Sequence, residues 1–275
     1  MRISHLALVA AVTVIGACTQ PAPTQPEAPS LIIGGEPASA DYAAVGALLF
    51  DLDGSGDIEV GPDLLCSGTL VSERYFLTAG HCLAWLPAGA RLFVTFDPDL
   101  RDGVTELRAA GAFHISPRYW HDAADPQDMG LVELAEPVED ITPLPLPSAG
   151  HLDGLAAQGG LRMRNFVNVG YGASALGRGN PSAGFSWDGR RNQSLSRFSA
   201  LRPNWLVLLM ARAATGLGGD CFGDSGSPKF LEGDATRTVV ATVSKGDIPC
   251  RATSWDYRLD TPSARAFLGQ FLELP

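Results

Sequence analysis

Three short stretches carry residue types suited to nucleophilic chemistry. The first is Leu77-Thr78-Ala79-Gly80-His81-Cys82, preceded by Cys66-Ser67-Gly68-Thr69-Leu70. The second is Asp128-Met129-Gly130-Leu131-Val132-Glu133-Leu134, and the third is Gly223-Asp224-Ser225-Gly226-Ser227-Pro228. A serine hydroxyl attacks poorly at neutral pH and needs a base within hydrogen-bond reach to take its proton. Histidine suits that task because its ordinary pKa lies near physiological pH. A carboxylate on the far ring nitrogen fixes the tautomer and stabilises the imidazolium that forms. Asp122 and Asp125 compete for that place, but Asp128 alone is followed by an alternating run that reads as a buried strand. His114, His121 and His151 stand in no partner motif and read as surface or loop residues.

In the order His, Asp, Ser, and with matched cysteines, these stretches resemble the trypsin/chymotrypsin family of serine peptidases. The resemblance covers nearly everything after Ile32. It implies an all-β fold of two packed antiparallel six-stranded β-barrels with a C-terminal α-helix, and an active site in the cleft between them. It assigns Ser225 as nucleophile, His81 as general base and then acid, and Asp128 as the residue that orients His81. By the same analogy the N–H groups of Gly223 and Ser225 form an oxyanion hole, and such fixed donors lower a barrier by about 3–4 kcal/mol each. The family's disulfides would be Cys66–Cys82 and Cys221–Cys250.

The implied function is hydrolysis of peptide bonds by a serine endopeptidase through an acyl-enzyme, with protein or peptide substrates and no required metal or cofactor. The alternatives are a non-catalytic binding protein on the same scaffold and an esterase-like hydrolase. A serine-directed probe separates enzyme from binder, and a casein-versus-ester comparison separates the two enzymes.

The resemblance also places a specificity pocket. The residue six before the nucleophile, the pocket floor in this family, is Gly219, and Asp220 is its neighbour. Ser244-Lys245-Gly246 stands where the family has Ser-Trp-Gly, the strand that pairs its backbone with substrate; lysine replaces the aromatic platform. Trp255 and Tyr257 fall near the pocket's far wall. A glycine floor argues against simple trypsin-like selection, and Asp220 either attracts a basic side chain or is neutralised by Lys245; the reading leans to small or apolar side chains. Gly170-Tyr171-Gly172 resembles the Gly-Trp-Gly turn that opens the second barrel. Ile32-Ile33-Gly34-Gly35 resembles the mature N-terminus, whose freed amine would pair with Asp224.

The elements around these motifs fit that picture. Short β-like runs dominate after residue 31: 45–50, 91–96, 131–134, 205–210 and 238–243, separated by glycine, proline or acidic turns. The 31 glycines and 20 prolines suit many short strands. Residues 172–199 read as a long polar surface loop. The last segment reads as a helix, with Thr261-Pro262 as cap and first turn and Phe267, Leu268, Phe271 and Leu272 at helical spacing. Asp51-Leu52-Asp53-Gly54-Ser55-Gly56-Asp57 mimics the start of an EF-hand loop, yet Pro62 stands where a bidentate Glu belongs. An acidic hairpin turn is the favoured reading, and a weak calcium-stabilised loop the alternative.

Residues 1–17 read as a signal peptide: a positive start, then an apolar core too short to span a bilayer. It ends in Ile15-Gly16-Ala17-Cys18, which resembles a bacterial lipobox with Cys18 as the lipidated residue. Residues 18–31 are proline-rich and read as an extended tether or propeptide, leaving 32–275 as the peptidase domain. Lipidation of Cys18 would leave four of the five cysteines, enough for two disulfides; spacing alone does not choose among three pairings. The expected location is outside the cytoplasm, anchored by lipid in a bacterial cell envelope or secreted. A formal net charge of −10 without any basic run argues against nucleic acid as partner. The expected state is a monomer that touches membrane only through the lipid.

Overall fold

The computed structural model describes residues 34–87, 89–173, 175–176 and 185–275. The signal peptide, Cys18, the tether and Ile32 lie outside the described residues. The run Val45–Phe50 is apolar on both faces, as suits a strand covered on both sides. It pairs antiparallel with Leu64–Leu70 on one edge and Leu92–Thr95 on the other. Tyr75–Thr78, Gly130–Leu134 and Arg108–Ile115 complete a closed six-stranded barrel. Gly46 and Gly68 sit opposite one another in this sheet. A Cβ on Gly68 would stand 2.5 Å from the ring of fully buried Phe76, so the glycine pair leaves the space that the phenyl ring fills.

The second barrel runs through Asn165–Gly170, Asn192–Leu201, Trp205–Leu209, Thr253–Arg258, Ala241–Gly246 and Pro228–Leu231, and closes where Asn165–Gly170 pairs with both its neighbours. Part of the stretch read as a long polar loop is therefore its longest strand, Asn192–Leu201. The sequence hid it because its inward residues are polar: Asn168 donates to the hydroxyls of Ser194 and Ser196 at 2.9 and 2.8 Å inside the barrel. Satisfied in this way, polar side chains can be buried without apolar alternation.

Polar groups tie the barrels together. Arg191, from the second, donates to the carbonyls of Ala43, Val45 and Phe96 in the first. The Tyr171 hydroxyl reaches the Asp97 carbonyl at 2.8 Å, and burial pushes that phenol's pKa up. The C-terminal helix spans Pro262–Leu268, capped by Thr261, whose hydroxyl accepts from the Ala264 N–H. It stops sooner than its spacing suggested, at Gly269; Phe271 and Leu272 pack on the core from beyond its end. No described helix is long and apolar enough to cross a membrane.

The acidic loop after the first strand closes on itself. Asp51 Oδ2 accepts from the Gly56 N–H and from Arg91, each at 3.0 Å. Both oxygens of Asp63 accept loop amides, from Leu52 and Glu59. Three of these four carboxylate oxygens accept from loop amides or Arg91, and Asp51 Oδ1 is buried without a partner.

Candidate active site

His81 lies in the single helical turn Gly80–Leu83 directly after the strand Tyr75–Thr78. Asp128 lies two residues before Gly130–Leu134, the strand that pairs with Tyr75–Thr78. That pairing brings the two side chains together: His81 Nδ1 is 2.8 Å from Asp128 Oδ2, and the His81 backbone N–H donates to Oδ1 at 2.8 Å. Ser244 donates to Asp128 Oδ2 at 2.5 Å. Asp128 is buried and His81 is partly open. A carboxylate held by three donors keeps Nε2 of His81 turned away from it, towards the cleft.

Ser225 stands on a bend ahead of the strand Pro228–Leu231. Gly226 has φ +79°, and a Cβ there would stand 2.2 Å from Thr78 Oγ1, so the bend is pressed against the first barrel in a way only glycine permits. Ser67 straps the two halves, its N–H donating to the Ser225 carbonyl at 3.0 Å and its hydroxyl to the Gly223 carbonyl at 2.9 Å. Ser225 and His81 line one cleft of about 710 Å³. No hydrogen bond joins their side chains; such contacts often tighten only with substrate in place. The N–H groups of Gly223 and Ser225 donate to no other described residue.

Asp224 is fully buried. It accepts from the N–H groups of Gly172 and Cys221 at 2.8 and 2.9 Å. A Cβ on Gly172 would stand 2.3 Å from its Oδ2, so the Gly170-Tyr171-Gly172 turn lies flat on this carboxylate. Burial, with Asp220 nearby, pushes the Asp224 carboxyl up to about 7. No described basic side chain pairs with it. Gly34, where the described chain begins, packs within van der Waals reach of Gly218.

The structure joins Cys66 to Cys82 and Cys221 to Cys250. Cys66, His81 and Cys82 form the one described group of metal-ligand types drawn together, and its sulfurs are bonded to each other.

Three features bear on the pocket that the sequence reading places here. Asp220, Ser244 and Gly246 line the cleft, but Gly219 does not; Met210 covers it, so that a Cβ on Gly219 would stand 2.2 Å from Met210 Cγ. Lys229, not Lys245, pairs with Asp220, at 2.5 Å inside the barrel, with Asp256 3.8 Å from the same amine. Burial pushes the Asp256 carboxyl up to about 7 against the pull of Lys229. Lys245 lies instead over Trp205 and Trp255, 4.6 and 5.5 Å from the ring centroids. Ser254 lines the far side in place of Trp255 and Tyr257, because alternation along Thr253–Arg258 turns those rings away. Sequence reasoning missed Met210 and Lys229. Lys229 follows the Gly-Asp-Ser-Gly-Ser-Pro motif in a run that is otherwise apolar, and that placement was its one signal.

Two closed barrels with a histidine–aspartate pair on one wall and a Gly-Asp-Ser-Gly bend on the other define a protein of the trypsin/chymotrypsin type. Residues 32–183 match the Trypsin family, and the chain belongs to it. It is 26% identical to melanization protease 1 of Drosophila melanogaster over 69% of this chain and 53% of that protein. It is 38% identical to human granzyme M over 30% of this chain and 33% of that protein. The matched part thus spans about half the length, or less, of these relatives. The VesB protease of Vibrio cholerae has a similar fold, with TM-score 0.61 and 18% identity over 87% of this chain and 67% of that one.

Proposed function

We propose that this protein is a serine endopeptidase that cleaves peptide bonds through an acyl-enzyme at Ser225. The observation that carries the reading is the His81–Asp128 pair, held at 2.8 Å on the cleft that Ser225 also lines. Ser225 Oγ attacks the carbonyl carbon as His81 Nε2 takes its proton. The oxyanion sits against the N–H groups of Gly223 and Ser225. The tetrahedral intermediate collapses as His81 returns the proton to the leaving amine, and water then repeats the sequence on the ester. A fluorophosphonate that labels the wild type and not Ser225→Ala supports this reading. Equal labelling of both refutes it.

Activation is read as cleavage before Ile32. The new amine would meet Asp224, a buried carboxylate with no basic side chain paired to it, and its charge would draw that carboxyl down into the ionised form. The residue before the cut is Leu31, so a protease that accepts an apolar residue must make it. The pocket itself fits a small or apolar side chain: Met210 covers the glycine floor and Lys229 offsets Asp220 from behind. Strict cleavage after Lys and Arg that is lost in Asp220→Ala would overturn this preference and show the second oxygen of Asp220 reading a basic group.

A further inference from the structure

We propose that Lys245 selects substrates with an acidic residue immediately before the residue that enters the pocket. This deepens the peptidase reading and rests on it. The chain has two lysines, Lys229 and Lys245. Lys229 is sealed inside the second barrel; Lys245 is exposed and lines both the main cleft and a neighbouring cavity of about 270 Å³ formed with His81, Tyr119 and Trp120. Its amine is held against Trp205 and Trp255 by the negative faces of their rings, which fixes the charge in place without neutralising it. No carboxylate among the described residues pairs with it. The acid two residues on and the acid in the same cavity are already engaged: Asp247 accepts the N–H groups of Arg251, Ala252 and Thr253, and Asp128 holds His81.

Register decides which substrate residue meets this charge. Ser244 bonds Asp128 and lines the cleft with His81 and Ser225, so a residue cleaved there is taken to lie beside Ser244. A peptide laid antiparallel along the strand from Ser244 to Gly246 then sets its preceding residue directly opposite Lys245. Directly opposed residues project to the same face of a two-strand ladder. A carboxylate at that position meets the amine over the tryptophans. The chain's net charge of −10 works against an acidic peptide at long range, but fields from more than about 8 Å are screened at physiological salt.

The test uses paired peptides that differ only by Glu or Gln at that position, with enzyme counted by fluorophosphonate labelling. The Glu:Gln ratio of kcat/KM is expected at about two- to five-fold in the wild type, the size of a partly exposed ion pair. It should fall towards one in high salt and in Lys245→Gln, and below one in Lys245→Glu. The same ratio, read as Kd by anisotropy on Ser225→Ala, makes the charge test independent of turnover. A ratio of one in the wild type, or a preference for Glu that survives Lys245→Gln, overturns the proposal. A chain that neither labels nor cleaves, yet binds the Glu peptide more tightly through Lys245, sinks the peptidase reading and leaves the acidic preference standing.

Discussion

In the proposed mechanism Ser225, His81 and Asp128 contribute to one proton path, so their losses should not add. Each single alanine variant is expected to lose about 10⁴-fold or more in kcat/KM, and the triple variant little more than the worst single one. Circular dichroism should show each variant folded, because none of the three side chains fills the apolar core. Steady-state kinetics on a peptide ester and a peptide amide measure the losses. That these residues meet at one cleft was legible in the sequence because each sits in a short motif whose neighbours serve it. Gly226 lets the Ser225 bend press on Thr78, and Thr78-Ala79-Gly80 ends a strand just where His81 must begin a turn. Met210 was not legible. It covers Gly219 across the barrel, and nothing at position 210 in sequence marks that contact.

At the level of strands, apolar runs marked three strands of the first barrel, Val45–Phe50, Leu92–Thr95 and Gly130–Leu134, and two of the second, Trp205–Leu209 and part of Ala241–Gly246. Val45–Phe50 is apolar because both its faces are covered, and Gly130–Leu134 is apolar but for Glu133, which reaches His114. Asn192–Leu201 is polar because its partners inside the barrel are Asn168 and the Gly218 carbonyl, and no local pattern announces partners so far away. The charged group behind the pocket belongs to this scale too. Lys229→Met would leave Asp220 and Asp256 buried without a cation, and should cost about 3–5 kcal/mol in urea unfolding. Asp256 gives the pH dependence its sign. Its carboxyl is raised in the folded chain to about 7, from an ordinary value near 4, so the folded state holds the extra proton between those limits. Its contribution to stability is fully present below the unfolded value and is lost as pH rises to about 7. The advantage of wild type over Asp256→Asn should therefore shrink between pH 4.5 and pH 7.5, measured by denaturant midpoints at both.

For the whole molecule, a lipid on Cys18 would make activation and release from a membrane one event. The cut that would free the Ile32 amine for Asp224 also lies between the catalytic domain and Cys18. Active protein should give Ile-Ile-Gly-Gly on N-terminal sequencing and partition into the aqueous phase of a detergent extraction. Full activity in a chain still joined through Leu31 would break the coupling. Because the loop from Asp51 to Asp63 binds its own amides and Arg91, a chelator such as EDTA should leave Tm unchanged in a thermal scan. The placement of the two lysines has a practical consequence for chemistry done on this protein. With Lys229 enclosed, Lys245 is the one lysine that an amine-directed reagent meets at the surface. After cleavage, an Ile32 amine buried on Asp224 would be out of reach as well. Coupling through an active ester would then give a singly modified product, its dye or bead linker fixed at the mouth of the cleft. An immobilised enzyme made that way would face its own support, whereas coupling through the many exposed carboxylates would leave the cleft open.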